Sequence, residues 1–198
     1  MRIAFLLFDQ MDLMDFAGPF EVLLTANRLR VRDGLTSPFD LVTVSPDGEP
    51  VYAYGGVAVT PHAEPDALGS VDVLVVPGTI DVGRALADAG LVRTVGGLAH
   101  TAAVTTSVCT GAFLLGAADL LAGRDWTTHW EDIDTLSADI PGGRRARVVD
   151  TGDVITAGGI GCGIDLGLHL VARYEGPELA ERCARQMDVP WAGPADVT

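Results

Sequence analysis

The stretch Val104-Thr105-Thr106-Ser107-Val108-Cys109-Thr110-Gly111 decides the fold class of this chain. Residues Val104–Val108 have the composition of a buried β-strand, and small residues typical of a closely packed helix follow from Gly111 onward. A strand that turns sharply into a helix forms a nucleophile elbow, in which the residue at the turn projects out of the sheet. The sequence therefore predicts an α/β protein with Cys109 at such an elbow.

Similar strand and helix patterns alternate along the rest of the chain, which is typical of a doubly wound, mostly parallel sheet with helices on both faces. We predict strands at about Ile3–Phe8, Phe39–Ser45, Val71–Val76, Val104–Val108 and Val154–Ala157. Helices are expected at about Pro19–Arg30, Leu91–His100, Thr110–Leu121, Gly163–Tyr174 and Pro177–Met187, and a small antiparallel hairpin at Val51–Thr60. The length of 198 residues suits one core, so residues 1–198 are predicted to form a single domain.

Composition and charge exclude several classes of function. The formal net charge of −14 disfavours nucleic-acid binding, and no apolar run is long enough to cross a membrane. Three widely spaced cysteines and four scattered histidines suggest neither a disulfide framework nor a metal site. Nucleotide-binding glycine motifs are absent, so we expect no cofactor. A cytoplasmic protein acting on a small-molecule substrate fits these observations best.

Cys109 and Thr110 form the centre of the candidate site. The N-terminus of the following helix supplies free N–H groups and partial positive charge, which predicts a stabilised thiolate at Cys109. The N–H of Thr110 is expected to face any oxyanion formed on attack. The alternative for Cys109 is a small cysteine buried in the core.

Two further segments are expected at the same end of the sheet, because ligand sites collect at the carboxyl ends of parallel strands. Asp15 precedes the helix predicted to begin at Gly18-Pro19, where it either caps the helix or exchanges a proton with Cys109. Gly78 and Thr79 follow the third strand, so their N–H groups either complete an oxyanion hole or belong to a simple turn.

His129 and the glycine-rich segment 158–163 are candidates for the pocket wall. His129 is interpreted either as a base or as a structural residue. Gly159 is expected to let the backbone approach the site closely.

These segments together resemble the DJ-1/PfpI superfamily, and within it the branch of isocyanide (isonitrile) hydratases and amidotransferase-like domains of AraC-type regulators. The resemblance rests on five segments in order: 5–8, 13–19, 107–111, 127–130 and 158–160. It implies a flavodoxin-like fold, a homodimer, Cys109 as nucleophile and Asp15 as its acidic partner. Thr110 matches the hydratases, whereas the protease branch has His there. Ile160 matches a backbone position that lines the hydratase pocket.

The resemblance implies an enzyme that adds water to an isocyanide through a cysteine thioimidate, giving an N-substituted formamide. Thr79 departs from the family, which usually has Gly at this oxyanion-hole position. Other thiol chemistry, of a glyoxalase- or amidase-like hydrolase, therefore remains an alternative. A non-catalytic ligand or redox sensor domain is the other.

Overall fold

The computed structural model describes residues 1–193, so residues 194–198 of the predicted domain lie outside the described part. A six-stranded sheet forms its centre, with the strand order β2-β1-β5-β6-β8-β7. Its strands are β1 (Arg2–Leu6), β2 (Asp40–Val44), β5 (Val71–Val76), β6 (Ala102–Val108), β7 (Val148–Asp150) and β8 (Val154–Ala157). All neighbours are parallel except β7 and β8, which are antiparallel. Strands β3 (Val51–Tyr52) and β4 (Ala58–Val59) form a separate antiparallel pair.

Helices cover both faces of the sheet. They are α1 (Leu13–Arg32), α2 (Val82–Ala87), α3 (Ala89–Thr101), α4 (Gly111–Ala117), α5 (Ile133–Ser137), α6 (Cys162–Glu175) and α7 (Pro177–Met187). The predicted flavodoxin-like, doubly wound fold and its five main strands are thus confirmed. Strand β7 and helix α2 were not predicted, because three and six residues are too few to establish a periodic pattern.

The two-residue alternation of the strands divides the hydrophobic core into two layers. Ile3 and Phe5 of β1 pack on one face with residues of α1, α6 and α7, such as Leu166. Ala4 and Leu6 point to the opposite face, where α3 and α4 contribute residues such as Leu114. Strands buried on both faces are almost continuously apolar, which is why the sequence pattern located them well.

Helix α1 begins at Leu13, so the prediction of a start at Gly18-Pro19 was wrong. Asp12 caps the helix by accepting a hydrogen bond from the Met14 N–H at 3.1 Å. Pro19 therefore lies inside the helix, in a segment that packs closely against α6, where glycine residues leave room. A proline is most common in the first helical turn, and this preference misplaced the boundary.

Helix α4 is shorter than predicted and ends at Ala117 rather than near Leu121. Asp119 adopts a left-handed φ of 61°, and the Leu120 N–H bonds the Leu115 carbonyl at 3.0 Å. An aspartate at this position is a weaker stop signal than the glycine that usually ends a helix.

The sheet brings the ends of three neighbouring parallel strands together. Helix α1 follows β1, the Gly78 loop follows β5, and the elbow at Cys109 follows β6. The strand order reverses between β1 and β5, which is where open α/β sheets bind ligands. Within the described residues, no helix combines the length and apolar character required to cross a membrane.

Candidate active site

Cys109 lies at a strained turn between β6 and α4. Its φ is 57°, a left-handed value that costs a residue with a side chain on the order of 1 kcal/mol. Surrounding hydrogen bonds hold it there: its N–H reaches the carbonyls of Ala157 at 3.0 Å and Gly158 at 2.9 Å. Its own carbonyl accepts a hydrogen bond from the Thr128 hydroxyl at 2.8 Å. The structure thus has the predicted elbow geometry.

Asp15 lies in the first turn of α1 and is completely buried. Its Oδ2 accepts a hydrogen bond from the Gly78 N–H at 3.0 Å. The other carboxyl oxygen, Oδ1, has no hydrogen-bond partner within residues 1–193. Burial, with a contribution from Asp12, raises the pKa of Asp15 to about 7, although interactions with Gly78 and the Cys109 thiol lower it. Asp15 is therefore not a helix cap but a carboxyl group that can hold a proton near neutral pH.

Cys109 is also buried, with only 7% of its surface exposed. Burial and the neighbouring Asp15 charge raise the pKa of the Cys109 thiol to about 12, against the N–H groups of Thr110 and Ile160, which lower it. The expectation that the helix N-terminus would favour a thiolate is thus not met in this structure. Desolvation and a nearby carboxylate outweigh the partial charge at the end of the seven-residue helix α4.

Gly78 and Thr79 hold the three loops of the site together. Thr110 accepts a hydrogen bond from the Thr79 N–H at 2.8 Å, and its hydroxyl donates to the Thr79 carbonyl at 2.7 Å. A Cβ at Gly78 would lie 2.6 Å from Thr110 Oγ1 and 2.9 Å from Asp15 Oδ2, so only glycine fits there.

The predicted oxyanion role of Gly78 and Thr79 stays a prediction, and the structure shows other partners for their N–H groups. Both N–H groups are already engaged, with Asp15 and Thr110 respectively. The N–H groups that face the Cys109 sulfur belong instead to Thr110 and Ile160. Thr79 has no positive φ, and its hydroxyl donates to the Gln10 carbonyl at 2.7 Å, so its backbone tolerates the side chain.

His129, Gly159 and Ile160 line a cavity of about 460 Å³. The His129 ring packs so closely on Gly159 that a Cβ there would lie 2.4 Å from His129 Cδ2. His129 Nδ1 lies 3.7 Å from the Glu131 carboxylate and 3.6 Å from that of Asp132. His129 therefore forms part of the cavity wall, and the described residues show no hydrogen bond between it and Cys109. The cavity is adjacent to Cys109, because Thr128, Gly158 and Ile160 contact both.

Sequence reasoning missed two residues near this cavity. Thr128 positions the Cys109 carbonyl. Its signal in the sequence was its place directly beside His129, which was selected instead. Arg145 lines the cavity, and its signal is a basic run, Arg144-Arg145-Ala146-Arg147, in an otherwise acidic chain. Within residues 1–193, no group of three or more His, Cys, Asp or Glu side chains is placed to hold a metal ion.

The fold and the site together define a class of protein, an α/β protein with a cysteine elbow and a buried carboxyl group at the ends of its parallel strands. The family profile "DJ-1/PfpI family" matches residues 1–173. This chain belongs to the DJ-1/PfpI family.

Several relatives are similar over most of the chain. An isonitrile hydratase from Pseudomonas putida is 35% identical over 199 aligned positions, covering 99% of this chain and 82% of that protein. The HTH-type transcriptional regulator GbdR from Pseudomonas aeruginosa is 32% identical over 181 positions, covering 90% of this chain but only 48% of the regulator. The chain thus spans about half of that regulator.

Solved structures confirm the fold. A ThiJ/PfpI family protein from Pseudomonas syringae has a TM-score of 0.83 and 30% identity, covering 98% of this chain and 77% of the other. Drosophila melanogaster DJ-1beta has a TM-score of 0.79 at 17% identity, covering 96% and 98%. This second similarity concerns the fold alone.

Proposed function

We propose that this protein is a cysteine-dependent hydratase that converts isocyanides to N-substituted formamides. The observation that carries the proposal is the buried Asp15 carboxyl beside the Cys109 thiol, with a pKa of about 7. A general acid–base group works best when its pKa lies near the working pH. Hydration of an isocyanide needs such a group, because a proton must reach carbon and another must reach nitrogen.

The proposed first step forms a bond between the Cys109 sulfur and the terminal carbon of R–N≡C. The ionised Asp15 carboxylate takes the thiol proton as the sulfur attacks and then delivers it to the same carbon, giving the thioimidate R–N=CH–S–Cys. The thiol does not have to ionise beforehand, which matters because its pKa is raised to about 12.

The second step consumes one water molecule. Its hydroxyl adds to the thioimidate carbon and its proton goes to nitrogen; the C–S bond then breaks. The carbonyl forms as the hydroxyl proton returns to sulfur by way of Asp15, so that R–NH–CHO leaves and the thiol is restored. The N–H groups of Thr110 and Ile160, which lower the pKa of Cys109, would stabilise negative charge on sulfur in both steps.

The similarity to an isonitrile hydratase, which covers 99% of this chain and 82% of that protein, supports this choice of reaction. The test is to incubate the protein with a set of alkyl and aryl isocyanides and to measure formamide by NMR. We expect turnover by the wild type, none by Cys109→Ala, and full turnover by Cys183→Ala, a matched change of a cysteine buried in α7. Formamide production by Cys109→Ala at the wild-type rate would contradict the mechanism.

A second candidate function is a ligand-sensing domain without catalysis. The similarity to GbdR and the burial of Cys109 favour it. A sensor would bind a small molecule with no isocyanide or dicarbonyl turnover, whereas dicarbonyl turnover alone would indicate glyoxalase-like chemistry. We also propose a homodimer, as the family resemblance implies, which analytical ultracentrifugation tests.

A further inference from the structure

The cavity beside Cys109 has an unusual charge for this chain. The molecule carries a net charge of −14, yet the described residues that line this cavity include Arg145 and Arg147 and no Asp or Glu. A cavity lined by positive charge attracts anionic ligands even when the protein as a whole is acidic.

Among residues 1–193, Arg145 is the arginine of this cavity that has no ion pair. Arg147 is paired with Asp165 at 2.5 Å, and neighbouring Arg144 is paired with Asp125. Arg145 has no ion pair among residues 1–193, and its guanidinium carbon lies 5.6 Å from the centre of the Trp130 ring. The aromatic ring holds the guanidinium in place without neutralising its charge.

The cavity that contains this cation borders the surroundings of the reacting sulfur. In its wall, Ile160 contributes the N–H that faces Cys109, and Thr128 holds the Cys109 carbonyl. The lining also includes Arg145, the exposed Trp130 and the apolar side chain of Ile133. A ligand in this cavity would therefore contact an apolar wall and a cation, next to the residue whose N–H faces the nucleophile.

We infer that the substrate is a small isocyanide that carries a carboxylate, which Arg145 binds while the terminal carbon faces Cys109. This inference rests on the proposed hydratase function. Within the described part of the chain, one guanidinium of the cavity is without an ion pair, and it matches the planar, singly charged carboxylate, with which a guanidinium forms two parallel hydrogen bonds. Glu131 and Asp132, close behind His129, disfavour the second negative charge of a phosphate. The product of such a substrate is an N-formyl amino acid, because hydration turns the isocyano group into a formamide.

Product binding tests the inference directly. Calorimetry compares N-formyl-leucine with N-formyl-leucinamide, which has the same shape without the charge. We expect the acid to bind the wild-type protein about tenfold more tightly than the amide, as a charge-assisted pair implies. Arg145→Gln should remove this preference and leave amide binding unchanged. Arg185→Gln, which removes an exposed arginine of α7 with the same change of charge, should keep it.

Several outcomes would overturn the inference. They are equal binding of acid and amide by the wild type, no binding of either, or an unchanged preference in Arg145→Gln. If Arg145→Gln also loses the amide, then Arg145→Lys, which keeps the charge, decides: the preference must survive there in weakened form. If inorganic phosphate competes as strongly as the acid, the inference of a carboxylate is wrong and the ligand group is a phosphate.

Failure of the inference and failure of the proposed function give different results. Product binding needs no turnover, so it can be measured with the Cys109→Ala variant as well as with the wild type. Acid preference without isocyanide turnover would refute the hydratase function and leave the carboxylate site at Arg145 in place. Turnover of isocyanides with equal kcat/KM for an isocyano carboxylate and its amide would refute the carboxylate inference only.

Discussion

Replacing Asp15 with Asn should make Cys109 more reactive and the protein less active. The Asp15 charge is the second-largest cause, after burial, of the raised pKa of Cys109. Asparagine keeps the size of the side chain and an oxygen that accepts the Gly78 N–H, which now bonds Asp15 Oδ2 at 3.0 Å. The substitution therefore removes a charge and a titratable proton while preserving the local packing.

The expected size of the effect follows from the charge that is removed. A carboxylate at close range moves a neighbouring pKa by about 1 to 3 pH units, so the pKa of Cys109 should fall from about 12 by that amount. A fall of about 2 units raises the thiolate fraction near pH 8 about a hundredfold, while the lower basicity makes the thiolate roughly tenfold less nucleophilic. Alkylation should therefore become about tenfold faster.

Hydration of isocyanides should change in the opposite direction. Loss of the group that moves the proton should reduce turnover by about a hundredfold or more. A merely structural role of Asp15 would not produce a more reactive thiol together with a less active protein.

The assay is the rate of alkylation by iodoacetamide between about pH 6 and pH 11, followed at Cys109 by mass spectrometry of its peptide. The matched control is Asp12→Asn, because asparagine still caps α1 and Asp12 raises the pKa of Cys109 only as its smallest cause. An unchanged or slower alkylation of Asp15→Asn would refute the reasoning, as would turnover equal to that of the wild type.

Three further predictions concern stability. Because the pKa of Asp15 is raised from 3.8 to about 7 in the folded state, its contribution to the free energy of unfolding falls as the pH rises between these values, by on the order of 4 kcal/mol. Asp15→Asn should thus stabilise the protein near pH 8 and not near pH 4 in urea titrations; an equal gain at both would contradict this. Asp150 is the opposite case: burial raises its pKa, but its hydrogen-bonded histidine and arginine partners lower it overall. Asp150→Asn should cost about 3 kcal/mol at neutral pH, and thermal unfolding should show this loss shrinking as acid protonates the wild-type carboxylate. Thr110→Val should cost about 2 kcal/mol in urea titrations by leaving the Thr79 N–H and carbonyl unpaired, and Thr110→Ser should recover most of it.

The fold was largely predictable because most of its strands are buried on both faces. Strand β5 and the prediction agree at Val71–Val76, and β8 agrees at Val154–Ala157. The boundary of α1 was not predictable in the same way. Pro19 suggested that the helix starts there, whereas Asp12 caps it in the structure. Pro19 can lie inside the helix because it packs against α6, a contact that the sequence does not show.

The candidate site shows a similar division. Cys109, Asp15, Gly78, Thr79 and Thr110 were selected from their positions after predicted strands, and the structure brings all of them together. Their hydrogen bonds were not predictable, since the N–H groups of Gly78 and Thr79 find partners on other loops.

The sequence by itself determined the alternation of the main strands and helices along the chain and the residue at the elbow, because periodicity and turn chemistry are local properties of a chain. The tertiary structure alone decided that Asp15 and Cys109 are buried together, so that the carboxyl, rather than the thiol, titrates near neutral pH. It also decided that Arg145 lies in the cavity beside them. Desolvation and charge interactions depend on distances between residues far apart in the sequence, and only the folded chain sets those distances.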